Sequence, residues 1–121
     1  LGVCSNKPHE AAVKVIEKMF PEHEFDIVLG QMDSIKKKPA PDGPLKIAGE
    51  FGVLPQECMY LGDSGTDMQT GTAAGMYTIG VLWGYREEKE LLENGAEALA
   101  EKPEDILKIY EEKMKIKNKD K

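Results

Sequence analysis

Strand-like and helix-like segments alternate along these 121 residues, and the alternation predicts an α/β fold, a parallel sheet flanked by helices. Three observations carry that expectation. Short apolar runs recur at 1–4, 25–29, 58–61 and 77–82. Between them lie stretches whose apolar residues repeat at helical spacing. Each of the first three runs leads into polar, glycine or proline residues, and in an open α/β sheet the carboxyl ends of the strands are where ligands bind.

The elements follow in order. Residues 1–4 read as a strand running into the turn Ser5-Asn6-Lys7-Pro8, with Pro8 near the first helical turn. Ala12, Val15, Ile16, Met19 and Phe20 then mark one helix face, Lys14, Glu17 and Lys18 the other, and Pro21 ends the helix. A second strand spans 25–29. The segment 30–41 is polar and contains prolines, hence a loop. Asp42 suits a helix cap, with Leu45, Ala48 and Phe51 facing inward and Gly52 closing the helix. The run 58–61 is a third strand, buried on both faces. A helix over 66–74 stops at Gly75, and 77–82 is a fourth strand. Helices over 87–93 and 103–114 follow, the second packing through Ile106, Leu107 and Tyr110. The charged residues 115–121 read as a frayed tail. With no repeat and no linker, residues 1–114 form one small domain.

Composition narrows the function. The chain is 40% apolar and 31% charged, ordinary for a globular protein. A net charge of −6 argues against a nucleic-acid surface, so a phosphorylated substrate must be drawn by local cations or a metal. Cys4 and Cys58 sit in apolar runs and read as small buried hydrophobes in a reducing, cytoplasmic compartment. No apolar run approaches the ~20 residues that cross a bilayer, and no membrane partner is expected. The sequence opens on Leu within an apolar segment, which reads as a chain whose start is missing.

Three strand ends carry groups suited to phosphate. Ser5-Asn6-Lys7 offers a hydroxyl and backbone N–H groups at a strand-to-helix turn, an anion site if it is more than a helix cap. In Lys36-Lys37-Lys38-Pro39-Ala40-Pro41 the prolines stiffen the loop and aim the lysine before them, so Lys38 turns inward while Lys36 and Lys37 stay in solvent. The alternative is a basic surface loop. In Met59-Tyr60-Leu61-Gly62-Asp63-Ser64-Gly65-Thr66-Asp67, Gly62 turns the backbone and Asp63 and Asp67 present oxygen to a hard cation. The alternative there is a surface turn with an N-capping acid. A serine-nucleophile reading of Gly62-Asp63-Ser64-Gly65 fails for want of a base, because His9 and His23 both read as surface residues.

The order Val3-Cys4-Ser5-Asn6-Lys7-Pro8, Lys38-Pro39-Ala40-Pro41 and Gly62-Asp63-Ser64-Gly65-Thr66-Asp67 resembles the haloacid dehalogenase-like phosphatases, and within them the phosphoglycolate phosphatase branch. The segments 80–85, 95–96 and 103–106 are similar to later parts of the same branch. The resemblance implies a Rossmann-like sheet and a phosphatase acting on a small phosphorylated metabolite through an aspartyl-phosphate, with Mg2+ as cofactor. Carried over by position, Ser5, Asn6 and Lys38 hold the phosphoryl group, Lys38 neutralises the transferring charge, Asp63 binds the metal, and Asp67 binds it through water. Trp83 and Tyr85 wall the site. The family's first motif, an apolar strand ending in Asp-x-Asp, is absent, and so is the cap that selects substrate. The missing strand belongs mid-sheet, between the Ser5 strand and the Asp63 strand. The chain is therefore expected to be inactive alone, and its sheet to be completed by a preceding segment, another chain or a second copy. A non-catalytic module that binds metal or phosphate is the alternative.

Overall fold

A computed structural model describes residues 1–19, 26–32, 34–84 and 87–119. The elements run β1 (Gly2–Pro8), α1 (His9–Met19), β2 (Ile27–Gln31), α2 (Asp42–Phe51), β3 (Met59–Gly62), α3 (Gly65–Ala73), β4 (Tyr77–Val81), α4 (Glu88–Glu93), β5 (Ala98–Ala100) and α5 (Pro103–Lys119). Every described strand pairing is parallel, as an α/β chain with helical crossovers requires. The class expected from the sequence is the one observed.

The strands form two sheets, β1-β2 and β3-β4-β5. The sheets part between β1 and β3, where the resemblance put the missing strand. Among the described residues β1 pairs only with β2, and β3 only with β4. A trough of about 770 Å³ lies between them, walled by Val3 and Cys4 of β1, Ile47 and Phe51 of α2, and β3.

The core sits on the three-stranded side. β4 carries Tyr-Thr-Ile-Gly-Val and is covered on both faces: Ile79 is wholly buried and clusters with Val81 and Ala100, backed by Ile106 and Ile109 of α5. Met68 of α3 and Leu91 of α4 are also wholly buried. Each such side chain contributes about 1.5–3 kcal/mol through removal from water. A second cluster joins Ala48 of α2 to Tyr60, Ala74 and Met76, so α2 reaches across to β3.

Several expectations are corrected. β1 continues to Pro8 with an irregularity after Cys4, so Ser5, Asn6 and Lys7 lie in the strand and not in a loop. Asp42 begins α2 but does not cap it; Pro41 holds the cap position without a side-chain bond. Gly52 does close α2, in the left-handed conformation that spares a residue without a Cβ. Leu45 and Phe51 are exposed, and only Ala48 of the expected inward trio is buried. On α5, Ile106 and Ile109 face the sheet while Leu107 and Tyr110 face solvent. The helix also runs to Lys119, so most of the supposed tail is helical. Val15 is exposed, whereas Ala12 is the buried residue of α1. The short β5 was not expected, since Ala-Leu-Ala carries little strand preference. Phe20, Pro21, His23, Phe25 and Tyr85 lie outside the described residues.

Candidate active site

The strand ends meet at the head of the trough. β3 is apolar up to Leu61 and turns at Gly62, where a Cβ would come within 2.2 Å of the Asp67 Cβ. Only a glycine lets the backbone pass that close, and Asp67 therefore folds back over the strand end. Its Oδ2 accepts the Asp63 N–H at 3.2 Å, and its own N–H is capped by the Ser64 hydroxyl at 3.2 Å. Ser64, not an acid, is the N-cap of α3. Asp67 in the first turn also favours the positive end of that helix.

Lys38 arrives from the loop between β2 and α2. Its ammonium stands 3.0 Å from Asp67 Oδ1, with both side chains about 15% exposed. The inward turn expected of Lys38 is thus what the fold produces, and Lys36 and Lys37 are exposed. The Lys38 backbone N–H donates to Asn6 Oδ1 at 3.1 Å, so Asn6 fixes the loop that delivers the ammonium. Ser5 and Asn6 line a small recess together with Lys38 and Gly43. The contacts thus run from Asn6 to Lys38 to Asp67 to Asp63 across the gap between the two sheets. Ser5 shares the recess with Asn6 and Lys38, and Lys38 and Asp63 both line the trough.

The sequence reading missed Tyr60. Strand periodicity places it on the same face as Gly62, and its phenol hydrogen-bonds Lys38 and feels the charges of Asp67 and Cys4. Burial, with Asp67 nearby, pushes its pKa up to about 12. Burial opposes the charge on Lys38, but the Tyr60 oxygen and the Asp67 carboxylate outweigh it and hold the lysine pKa above its ordinary value. Burial likewise raises the Cys4 thiol. Cys4 and Cys58 are only half-buried and both line the trough, a correction to their reading as core residues. His9 is also more than a surface residue, since its Nδ1 accepts the Gly30 N–H at 3.2 Å and ties α1 to β2. Trp83 is half-exposed on the trough wall.

Glu90 went unnoticed as well. Its carboxylate accepts the Gly65 N–H at 2.8 Å, the first donor of α3. Asn94 then bonds the Glu90 carbonyl at 2.8 Å and Gln69 at 2.6 Å, locking α4 onto α3 behind the site.

The donor set suits a hard cation in type, with two carboxylates at one strand end, and the nearby Cys4 thiol is held protonated by burial. It is sparse in number: no group of three His, Cys, Asp or Glu converges among the described residues. A pair of carboxylates fits magnesium, which takes one or two from protein and the remainder from water and phosphate.

An α/β fold with an ammonium and two acids gathered at parallel strand ends is the outline of a phosphoryl-handling hydrolase. Residues 1–81 match the haloacid dehalogenase-like hydrolase model, and the chain belongs to that family. It is 36% identical over 85 residues to phosphoglycolate phosphatase of Escherichia coli K12, covering 70% of this chain and 34% of that protein. It is 32% identical over 107 residues to the phosphoglycolate phosphatase of Salmonella typhimurium, covering 88% and 39%. Among solved structures, one from Lactobacillus delbrueckii subsp. bulgaricus with a provisional phosphoglycolate phosphatase name superposes with a TM-score of 0.81 at 39% identity, covering 88% of this chain and 44% of that one. One from Thermotoga maritima with a provisional beta-phosphoglucomutase name gives 0.76 at 29% identity, covering 93% and 52%. The chain spans between a third and two fifths of the curated relatives it matches.

Proposed function

We propose that this chain is the C-terminal part of the catalytic core of a magnesium-dependent phosphatase that hydrolyses a small phosphate monoester of the phosphoglycolate kind. The observation that carries the reading is the Asn6–Lys38–Asp67–Asp63 line of contacts, with Lys38 Nζ 3.0 Å from Asp67. Ser5 and Asn6 bind phosphoryl oxygens. Lys38 balances the charge of the transferring group. Asp63 holds Mg2+ directly and Asp67 holds it through water; when bound, the ion supplies charge neutralisation at the phosphoryl group.

The nucleophile is an aspartate from an Asp-x-Asp segment outside this sequence, and the second aspartate of that segment is the general acid. The carboxylate attacks phosphorus, the ester P–O bond breaks, and the alcohol leaves with a proton from the acid. Water, deprotonated by the same acid's conjugate base, then releases inorganic phosphate and restores the carboxylate. That segment occupies the trough between β1 and β3, either from a preceding stretch of the same polypeptide, from another chain or from a second copy.

Hydrolysis of an aryl phosphate with and without Mg2+ tests the reading. The 121-residue chain alone is expected to be inactive. The protein carrying the Asp-x-Asp segment is expected to turn over with Mg2+, and Asp63→Ala is expected to lower kcat by about a hundred- to a thousandfold, comparable to removing one preorganised charge-stabilising group. Inactivity of that complete protein towards phosphomonoesters, with phosphate or metal binding retained, would instead establish a non-catalytic module. Size-exclusion and intact-mass measurements test the partner, and a stable lone monomer of the 121-residue chain counts against it.

A further inference from the structure

The loop that follows β4 presses on the acid that the proposed function assigns to the metal. A Cβ built on Gly84 would stand 2.6 Å from Asp63 Oδ2, 2.7 Å from Asp63 Cβ and 3.0 Å from Asp63 Cγ. The Gly84 φ lies outside the left-handed region, so its backbone conformation does not demand glycine. The close approach does. Two of the three encounters could be eased by swinging the carboxylate away, but the third is with the Asp63 Cβ, which is fixed to the end of β3 and cannot move without it. The loop cannot easily retreat either, because the Leu82 N–H is bonded to the Ala100 carbonyl at 2.9 Å and holds the start of the turn against β5. Trp83, beside Gly84, lines the same trough as Asp63.

We propose that Gly84 is a positioning residue for Asp63: its bare Cα is the wall that sets the direction of the carboxylate at the end of β3. The inference rests on the reading of Asp63 as the metal-facing acid, and it adds a second element, β4 and its loop, to the machinery that aims it. Asp67 is set differently, through Gly62, Ser64 and Lys38. A change at Gly84 therefore acts on the Asp63 side chain, whereas Asp67, which also accepts the Asp63 backbone N–H, keeps its rotamer through those three ties.

The test is Gly84→Ala in the protein that carries the Asp-x-Asp segment, with Gly49→Ala as control, since a Cβ at Gly49 meets nothing within 4 Å. Three-bond NMR couplings report the χ1 rotamers of Asp63 and Asp67, and Mn2+-induced broadening reports cation binding at the same carbons. Gly84→Ala is expected to change the Asp63 rotamer population, leave Asp67 unchanged, and weaken Mn2+ broadening at Asp63 about tenfold, the scale of supporting-residue effects on metal sites. Gly49→Ala is expected to change neither. Unaltered Asp63 couplings in Gly84→Ala overturn the proposal. A changed rotamer with no Mn2+ broadening even in the parent protein carrying the Asp-x-Asp segment upholds the positioning role and overturns the metal reading. If Gly84→Ala does not fold, the double variant Asp63→Gly/Gly84→Ala decides. It removes the three atoms the methyl would strike, so recovery of folding supports the proposal and persistent unfolding refutes it.

Discussion

The three-stranded side of the molecule and the two-stranded side are built from the same kind of unit and held to different standards of burial. On the former, Met68, Ile79, Leu91 and Ala100 have no exposed surface at all. On the latter, the buried apolar residues among those described include Ala12, Leu29 and Ile35, two of them on the strand and loop that deliver Lys38. The difference is geometric. β4 has a strand on each side and helices on both faces, whereas β1 has one neighbour and opens onto the trough. Parallel sheets are stable when covered; α1 and α2 pack on the two-stranded sheet, but among the described residues β1 has no strand on its trough side. The Asn6–Lys38–Asp67–Asp63 line of contacts spans both, so half of it stands on a firm base and half on a thin one.

The most damaging way to probe the firm side is Ile79→Ala, which should cost about 3–5 kcal/mol, as for truncation of a fully enclosed aliphatic side chain. Urea unfolding should show the whole chain losing cooperativity. Leu29→Ala on the thin side should cost less, about 2 kcal/mol, because a poorly covered site collapses more easily. It should also act locally, with β1 and β2 amides exchanging faster while β4 amides keep their protection. Equal loss of protection in both sheets would erase the distinction drawn here. Lys38→Ala, which cuts the tie between the halves, should cost about 1–3 kcal/mol because it strands the largely buried Asp67 carboxylate without its cation.

Alkali should sharpen the same contrast. Cys4, Tyr60 and Lys38 each hold a proton more tightly folded than unfolded. The unfolded chain releases those protons first, at about pH 8.5, 10 and 10.4 respectively. Their contribution to stability is therefore whole below those values and falls as pH climbs, towards about 12 for Tyr60. Thermal melts between pH 8 and 12 should show the decline, and Tyr60→Phe should flatten its upper part. The smallest expected effect is at Lys89, whose exposed pairing with Glu93 at 3.8 Å spans one helical turn. Lys89→Ala should shift stability by no more than about 0.5 kcal/mol.

What the sequence made legible was local. The apolar runs before Ser5 and before Gly62 are strands because their own residues demand burial, and the Gly-Asp and Lys-Pro turns announce themselves by backbone constraint. Lys38 could be separated from Lys36 and Lys37 because proline follows it directly. What failed needed neighbours. Leu45 and Phe51 have the spacing of an inward helix face, yet the cover that would bury them is not among the described elements. Leu107 and Tyr110 were chosen over Ile109 on a helix where a rotation of one residue reverses the answer. Tyr60, Gly84 and Glu90 join the site through contacts with residues 22, 21 and 25 positions away (Lys38, Asp63 and Gly65), and no local pattern encodes such separations.

The trough has a consequence for the chain in a tube as well as in a cell. Two strand edges with no strand partner among the described residues flank it, and Val3, Phe51, Leu61 and Trp83 line it. Such an opening invites edge-to-edge pairing between molecules. The chief opposing force is mutual repulsion from a net charge of −6, which vanishes near the isoelectric point of about 5.0. Acidification towards pH 5 should therefore cloud a concentrated solution, and an occupant seated in the trough should keep it clear.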